Sequence, residues 1–424
     1  MKALHERRLD RNRRGGKGRG VFDAGWCTAC VAAAVSSVPA AWAAPDAEDP
    51  LDIYFNDEYS YEDNLFRVPD SSQLGSVGAA VKSLDDYVNR MSVGLQARMD
   101  AARQVFALNL RFDDVRYAEN DSLNYRGGSG DLAWDFSLGS NWSGSVKARY
   151  DRKLASFSNY RFFARDVVET AGYNGEVRYA IGSRWAVLGS GSVAETGHSA
   201  PSRQVNKFKG ETLRGGIEYR TPSNNVIAFD YRDTAARFPI ADSTPGGLPF
   251  RYDEQQPGVT MFYAFTAITQ LRARAAYIER DYMDPRLGDF SGPTWNLALH
   301  WAPSIKLYFD VKGWHELTAY ADAESDYYVG EGISITPTWE PTSKVTITGA
   351  VGYEQQDYEG NNTLLIPNLA GREDEVATAE LNIEFEPRDY FSFGFGYRWI
   401  ERESNRDLRG YDNSIVSAQI KVTL

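Results

Sequence analysis

Apolar and polar residues alternate with a period of two along almost the whole chain. In the segment 104–112, for example, Leu108, Leu110 and Phe112 alternate with Asn109 and Arg111. A period of two is typical of a β-strand with one apolar and one polar face. Segments with this pattern are 51–66, 86–100, 104–118, 124–139, 141–154, 166–181, 184–196, 209–220, 225–234, 254–266, 269–281, 292–302, 304–316, 326–339, 343–356, 373–386, 389–402 and 412–424. The sequence therefore predicts an all-β chain of about 18 strands, with 16 as the alternative.

The links between these segments fall into two length classes. Short links such as SN, GS and AP alternate with long polar links such as AARFPIADSTPGGLPFRY. Short turns at one rim and long loops at the other are typical of a transmembrane antiparallel up-and-down β-barrel. Most segments also exceed the roughly 9–11 residues that a tilted strand needs to cross a bilayer. A sandwich or a propeller is not expected to sort its loops in this way.

The last twelve residues, NSIVSAQIKVTL, place Val416, Ile420, Val422 and Leu424 on one face. A terminal strand left unpaired would expose its backbone groups, and within lipid no water would satisfy them. We therefore expect it to pair with the first strand and close the barrel. It resembles the C-terminal signal read by the bacterial outer-membrane assembly machinery, although that signal usually ends in Phe or Trp. The assembly machinery and outer-membrane lipids are accordingly expected partners.

The N-terminus has the composition of a secretory signal. A basic stretch is followed by a short apolar core near 31–42, and Ala41 and Ala43 fit the small-residue cleavage pattern. We predict a signal peptide over 1–43, a short periplasmic leader over 44–50 and an outer-membrane barrel over 51–424. Cys27 and Cys30 would be removed with the signal, so the mature chain would contain no disulfide.

The charge balance excludes some partners. Without residues 1–43 the chain has 38 basic and 55 acidic residues, a net charge of −17. This balance argues against binding to nucleic acid.

Residues able to support catalysis are few. The predicted mature chain has three histidines: His198 in a long loop, His300 facing the lumen, and His315 near a strand end, where Asp322 or Asp326 would be its partner. We find no nucleophile–base pair, metal-ligand spacing or nucleotide-binding motif, so we expect no enzymatic activity, no metal and no cofactor. An outer-membrane hydrolase or polysaccharide-modifying enzyme is the alternative of a different class.

The polar faces of the strands predict a charged, hydrated lumen, since so many charges are too costly for a dry core unless they are paired. One interpretation is a ladder of salt bridges that braces the wall. The other is a basic stripe, formed by Arg214, Arg232, Arg272 and Arg274, that favours anionic solutes. The predicted lumen-lining residues are Arg111, Arg149, Arg178, Arg214, Arg232, Arg272, Arg274, Lys312, Glu380 and Glu384.

One long loop, LASFSNYRFFARD, is rich in aromatic residues and arginine. Such residues suit stacking on sugar rings and gripping acidic groups, which makes the loop a candidate sugar contact. The alternative is that Phe162 and Phe163 belong to an interfacial aromatic girdle. The candidate residues are Phe157, Tyr160, Arg161, Phe162, Phe163 and Arg165.

The segment YSYEDNLFRVPD, from Tyr59 to Asp70, resembles the first strand of EpsL-like outer-membrane β-barrel proteins from exopolysaccharide operons. The resemblance implies a role in exopolysaccharide biosynthesis, as the outer-membrane exit, with a periplasmic polysaccharide-export partner. It supplies no catalytic residues, and we expect the motif residues 63–67 to be structural. The second functional hypothesis is a diffusion porin for small, including anionic, solutes.

Overall fold

Eighteen antiparallel strands form one closed sheet in the computed structural model, which describes residues 50–69, 81–158, 163–243, 251–285, 287–319, 327–359, 371–407 and 409–424. Each strand pairs with its neighbours in the chain, and β1 also pairs with β18. The strands are β1 (Leu51–Glu62), β2 (Asp86–Ala101), β3 (Gln104–Tyr117), β4 (Tyr125–Leu138), β5 (Trp142–Leu154), β6 (Val167–Ile181), β7 (Trp185–His198), β8 (Phe208–Arg220), β9 (Val226–Arg237), β10 (Tyr252–Thr266), β11 (Thr269–Tyr282), β12 (Phe290–Ser304), β13 (Leu307–Ala319), β14 (Tyr327–Thr342), β15 (Val345–Glu359), β16 (Arg372–Arg388), β17 (Phe391–Ser404) and β18 (Tyr411–Thr423).

The closing pair confirms the expectation from the terminal strand. Tyr54 of β1 is opposite Thr423 of β18. Beyond that pair, Ile53 and Leu424 exchange both backbone hydrogen bonds, at 3.3 and 2.7 Å. The strand count is therefore 18, and the 16-strand alternative is wrong. Closure removes the free sheet edge, which a strand structure in lipid requires.

Strand β1 ends at Glu62, four residues earlier than the alternation predicts. The side chain of Asn64 stops it, because Nδ2 donates to the carbonyl of Val68 at 2.8 Å and Oδ1 accepts from its N–H at 3.0 Å. Arg67 adopts a left-handed backbone conformation with φ 56°. The motif residues at the end of β1 thus form a turn, which agrees with the structural role expected for them.

The two rims differ as predicted. Links such as 102–103, 267–268 and 305–306 form the short-turn rim, and adjacent turns are tied together by cations. Arg103 donates to the carbonyl of Gly139 at 2.6 Å, and Lys306 to that of Pro341 at 2.9 Å. The long-loop rim carries two 3-10 turns, Asp121–Leu123 and Pro201–Asn206, and the one-turn helix α1 (Pro239–Ser243). Among the described residues, no helix is long and apolar enough to span a membrane.

The outer surface is apolar between two aromatic bands. Near the short turns, Trp142 packs on Tyr179 with ring centroids 4.7 Å apart. Toward the long loops, Tyr59 stacks on Tyr87 at 5.8 Å. Between the bands, side chains such as Phe112, which is 69% exposed, face outward. Aromatic girdles around an outward apolar belt are the features of a transmembrane barrel.

The buried apolar residues lie at the long-loop end of the barrel. One cluster, around Leu65, Phe66, Leu123 and Phe157, joins the β1–β2, β3–β4 and β5–β6 loops. We call it the loop cluster. The other joins strand ends from β8 to β14 and α1, and we call it the strand-end cluster; its members are Phe208, Ala236, Phe238, Ala241, Tyr252, Ile278, Tyr282, Leu287, Leu317 and Tyr327.

Candidate functional site

The lumen has two walls of opposite charge. Because outward residues alternate with inward ones, each strand's exposed apolar residues identify which side chains face inward. From β5 to β11, ten inward side chains are basic and five are acidic, so this basic wall has a clear positive excess. The basic members are Lys147, Arg149, Lys153, Arg178, Arg214, Arg220, Arg232, Arg272, Arg274 and Arg280, and the acidic ones are Asp151, Glu176, Glu218, Asp230 and Glu254.

The inward side chains of β13 to β16 have the opposite balance. Acidic side chains outnumber basic ones here, and we call this surface the acidic wall. Its basic members are Lys312 and Arg372. The acidic members include Asp310, Glu316, Glu354, Asp374, Glu380 and Glu384. The two walls impose a transverse electric field on any solute that passes between them.

Asp230 lies at the centre of the basic wall, with its side chain fully buried. Arg274 Nη1 is 2.7 Å from Oδ1 and 2.8 Å from Oδ2 of this carboxylate. Arg214 Nη2 is 3.3 Å from Oδ2 and Arg232 Nε is 3.6 Å from Oδ1. Glu176 is 3.7 Å from Arg214. Three guanidinium groups thus face two carboxylates, Asp230 and Glu176, which leaves one positive charge in excess.

Two glycines make this arrangement possible. Arg274 is on β11 and Asp230 on β9, so the arginine must cross β10. It crosses at Gly258, where an added Cβ would lie 2.8 Å from Arg274 Nη2. At Gly216, on the other side of Asp230, a Cβ would lie 3.0 Å from the Asp230 Cβ. The missing side chains therefore create the space in which the arginines and the carboxylate meet.

Arg272 differs from Arg274, although the sequence predicts the same inward face for both. Its guanidinium lies 5.7 Å from the ring centroid of Phe262. It is exposed to the lumen, and no carboxylate pairs with it among the described residues. Arg274 supports the bracing interpretation, whereas Arg272 supports the basic stripe.

The other predicted lumen residues mostly form ion pairs along one strand, between neighbouring strands or, for Arg178 on β6 and Glu218 on β8, across one strand. Arg111 Nε is 3.1 Å from Asp113, and Arg149 Nε is 3.1 Å from Asp131. Further pairs are Arg178 with Glu218 at 2.7 Å and Arg398 with Glu380 at 2.8 Å. Lys312 has no ion pair within the described ranges, and Glu384 lies on the acidic wall with Glu380.

The first residues of the β5–β6 loop, 155–158, extend from β5 toward β17 at the mouth of the barrel. Phe157 is buried, and its ring centroid is 4.9 Å from that of Phe66 in the β1–β2 loop. The carbonyl of Ser158 accepts a 2.6 Å hydrogen bond from Arg402 on β17, although β18 and β1 to β4 separate β17 from β5. Residues 157 and 158 therefore lie on the lumen side of the strands at the long-loop rim.

These contacts change the interpretation of the aromatic loop. Phe157 and Phe163 pack on Phe66 in the loop cluster. A girdle position for Phe163 is thus wrong, and Phe157 offers no open ring to a sugar. Arg165 is exposed and donates to the carbonyl of Asn124 at 3.2 Å. Sugar contact stays a prediction for Tyr160, Arg161 and Phe162, which lie outside the described residues.

The far end of the same loop is anchored at Asp166, which is buried with His198. His198 Nδ1 lies 2.7 Å from Asp166 Oδ2, and the N–H of Ala200 donates to Oδ1 at 3.0 Å. Burial by itself raises the pKa of Asp166, but the hydrogen bonds from His198 and Ala200 and the charge of Arg203 outweigh it, so its pKa is lowered. The carboxylate is therefore ionised at neutral pH and holds the loop to the start of β6.

The other two histidines have local partners. His300 Nδ1 is 2.9 Å from Asp310 in the lumen, as its phase predicts. His315 is 3.3 Å from Glu331 and stacks on Trp295. The aspartates suggested from the sequence as partners of His315, Asp322 and Asp326, lie outside the described residues. Each of these two histidines thus has a carboxylate as its hydrogen-bond partner.

Comparison with known proteins gives one family match and several similar barrels. Residues 255–424 match the family described as "Putative beta-barrel porin 2". No curated protein sequence matches the chain. The barrel is similar to OccK2 (OpdF) of Pseudomonas aeruginosa, with 9% identity, a TM-score of 0.48 and coverage of 89% of this chain and 98% of that one.

Two further solved structures are similar to the same degree. OpdK of Pseudomonas aeruginosa, solved with vanillate, has 9% identity and a TM-score of 0.47, with 88% of this chain and 99% of that chain covered. The ferric enterobactin receptor PfeA of the same organism has 9% identity and a TM-score of 0.43, with coverage of 88% and 80%. The chain thus forms a closed β-barrel whose residues 255–424 match a family of putative porins, and nothing about its solute follows from these likenesses.

Proposed function

We propose that this barrel is a diffusion channel for small anionic solutes. The observation that carries the proposal is the basic wall, where positive charge exceeds negative charge and Arg272 faces the lumen without a carboxylate partner among the described residues. Charges that line a barrel lumen set its ion preference. An anion entering the barrel would follow the basic wall, because the acidic wall across the lumen repels it.

The folded loops support a small solute rather than a polymer. Phe157, Phe66 and the contact between Ser158 and Arg402 hold the β5–β6 loop across the mouth. A long chain would have to displace buried aromatic contacts to pass, and each buried aromatic side chain contributes about 3–5 kcal/mol to packing. A small solute passes beside the loop without that cost. We therefore favour diffusion over polymer export and propose no enzymatic activity.

Swelling of proteoliposomes tests this proposal. Potassium gluconate, with an ionophore that carries potassium, should enter faster than sorbitol, a neutral polyol of similar size. Dextran of several kilodaltons should stay outside. Equal entry of gluconate and sorbitol, or entry of dextran, would contradict a small-anion channel.

Polysaccharide export is the second candidate, and the segment from Tyr59 to Asp70 is the observation that favours it, because it resembles the EpsL-like group. In this case the barrel would receive polymer from a periplasmic export partner. Deleting the gene should then reduce secreted polysaccharide and leave the uptake of small anions unchanged. Unaltered polysaccharide together with slower uptake of a small anion would favour the diffusion channel.

A further inference from the structure

A recess in the basic wall combines hydroxyl groups with arginines. Strand register aligns Asn174, Ser192, Thr212 and Thr234 across β6 to β9 in one row, which we call the hydroxyl row. All four residues line the recess. Thr212 Oγ1 and Thr234 Oγ1 are 2.9 Å apart. A hydroxyl can donate one hydrogen bond and accept two, so Ser192 and Thr234 can each form a hydrogen bond with a ligand hydroxyl.

The next row toward the short turns consists of Ser190, Arg214, Arg232 and Gln256 on β7 to β10, and we call it the arginine row. Neighbouring inward positions on a strand are about 6.8 Å apart, so one sugar ring would contact both rows. Arg214 Nε is buried and has no hydrogen-bond acceptor among the described residues. The row lies beside Asp230, and Glu176 of β6, which is opposite Ser190, lies 3.7 Å from Arg214. The two carboxylates leave one positive charge in excess among Arg214, Arg232 and Arg274.

Other carboxylates at the recess are already held. Glu254 Oε2 accepts two hydrogen bonds from Arg280, at 2.9 and 2.6 Å. Glu316 accepts one from Asn296 at 2.8 Å. On the long-loop side the recess is lined by Ile278 and Leu317, which belong to the strand-end cluster. The recess therefore has an apolar roof, a hydroxyl side and a cationic floor.

We propose that this recess binds the uronate group of a sugar acid. The arginine row would donate hydrogen bonds to the carboxylate, since charge-assisted bonds from guanidinium are strong and directional. The hydroxyl row would bind the ring hydroxyls. A simple carboxylate would contact the arginine row alone, and a neutral sugar would contact the hydroxyl row alone. A uronate would contact both rows and should therefore bind more tightly than either. This inference deepens the proposed function, because it names the class of anion that the basic wall would select.

Equilibrium binding of galacturonate to the folded, detergent-solubilised protein tests the recess without requiring conduction. Saturation-transfer NMR and calorimetry should show that galacturonate binds more tightly than propionate or galactose. Arg232→Gln should weaken galacturonate binding about tenfold, because it removes a charge-assisted contact. The double variant Ser192→Ala with Thr234→Val should bind galacturonate more weakly and should bind propionate as the wild type does. Ser334→Ala, a lumen hydroxyl on β14 away from the recess, is the matched control.

The source of the uronate is distinguished by comparing galacturonate with a short oligogalacturonate. Tighter binding of the oligomer assigns the recess to polymer, and equal binding per uronate assigns it to the free acid. The proposal is overturned if galacturonate and propionate bind equally, or if the recess variants behave like Ser334→Ala. The binding and swelling measurements test different proposals. A protein that binds galacturonate but does not pass gluconate would contradict the proposed channel and would leave the proposed binding site intact.

Discussion

Arg274 Nη1 lies 2.7 Å from Oδ1 and 2.8 Å from Oδ2 of Asp230, although a whole strand separates the two residues. The contact fixes the centre of the basic wall. Two arginines of the predicted basic stripe therefore differ. Arg274 is held by Asp230, whereas Arg272 has no carboxylate partner in the described parts of the chain. The two arginines should therefore respond differently to the same substitution.

Arg272→Glu should shift the reversal potential of the reconstituted channel toward cations and leave thermal stability nearly unchanged. Arg274→Glu should instead destabilise the fold, because a second carboxylate would face Asp230. Disruption of a buried charge pair costs about 3–5 kcal/mol. Heat-modifiability on gels, measured beside the reversal potential, separates the two effects. Equal changes of reversal potential and thermal stability in the two variants would contradict the different roles of Arg272 and Arg274.

The sequence predicts the inward face of both arginines, because the alternation with Leu271, Ala273 and Ala275 fixes it. It does not predict their partners. Those depend on the register of β9, β10 and β11 and on the space above Gly258, and both arise from pairing across strands. The loop cluster was missed for a similar reason, since the contact of Phe157 with Phe66 joins two loops that are far apart in the chain.

Asp230→Asn should raise anion preference and lower stability together. The change removes the one charge that separates three guanidinium groups, so their mutual repulsion increases. Asp131→Asn is the control, because Asp131 pairs with Arg149 at a site where both side chains are about half exposed. Exposed pairs contribute only about 0–1 kcal/mol. A melting temperature that falls equally in both variants would show that Asp230 has no special structural role.

Phe157→Ala should release the β5–β6 loop and increase single-channel conductance and current noise. The substitution removes a buried ring that packs on Phe66, at a cost of about 3–5 kcal/mol to the local packing. Phe112→Ala, on the lipid-facing surface, should leave conductance unchanged. Unaltered conductance in the Phe157 variant would mean that the loop does not limit the pore.

Asp166 should make the loop anchor sensitive to acid. Its pKa is lowered in the folded state, so its contribution is present above its unfolded pKa of about 3.9 and is lost as pH falls through the lower folded value. Wild type should be more heat-stable than Asp166→Asn at neutral pH, by about 1–3 kcal/mol. The difference should begin to shrink below about pH 4 and should disappear only when the pH is below the lowered folded pKa. A difference independent of pH would refute this role.

Gly94→Val should impair assembly. The ring of Tyr54 lies over Gly94, and an added Cβ would be 2.1 Å from the Tyr54 Cζ. Overpacking of this kind costs about 1–3 kcal/mol or more. Gly175→Val provides the matched control, because a Cβ there meets nothing within 4 Å. The folded yield of the Gly94 variant should recover when Tyr54→Ala is added, and no recovery would indicate another cause.

The reversal potential of the wild-type channel in a planar bilayer under a potassium chloride gradient tests the central claim most directly. The positive excess on the basic wall predicts a potential displaced toward the chloride equilibrium value. Addition of galacturonate should reduce the current more than addition of galactose. A potential displaced toward potassium, in a channel whose conductance shows that it is folded and open, would contradict the account.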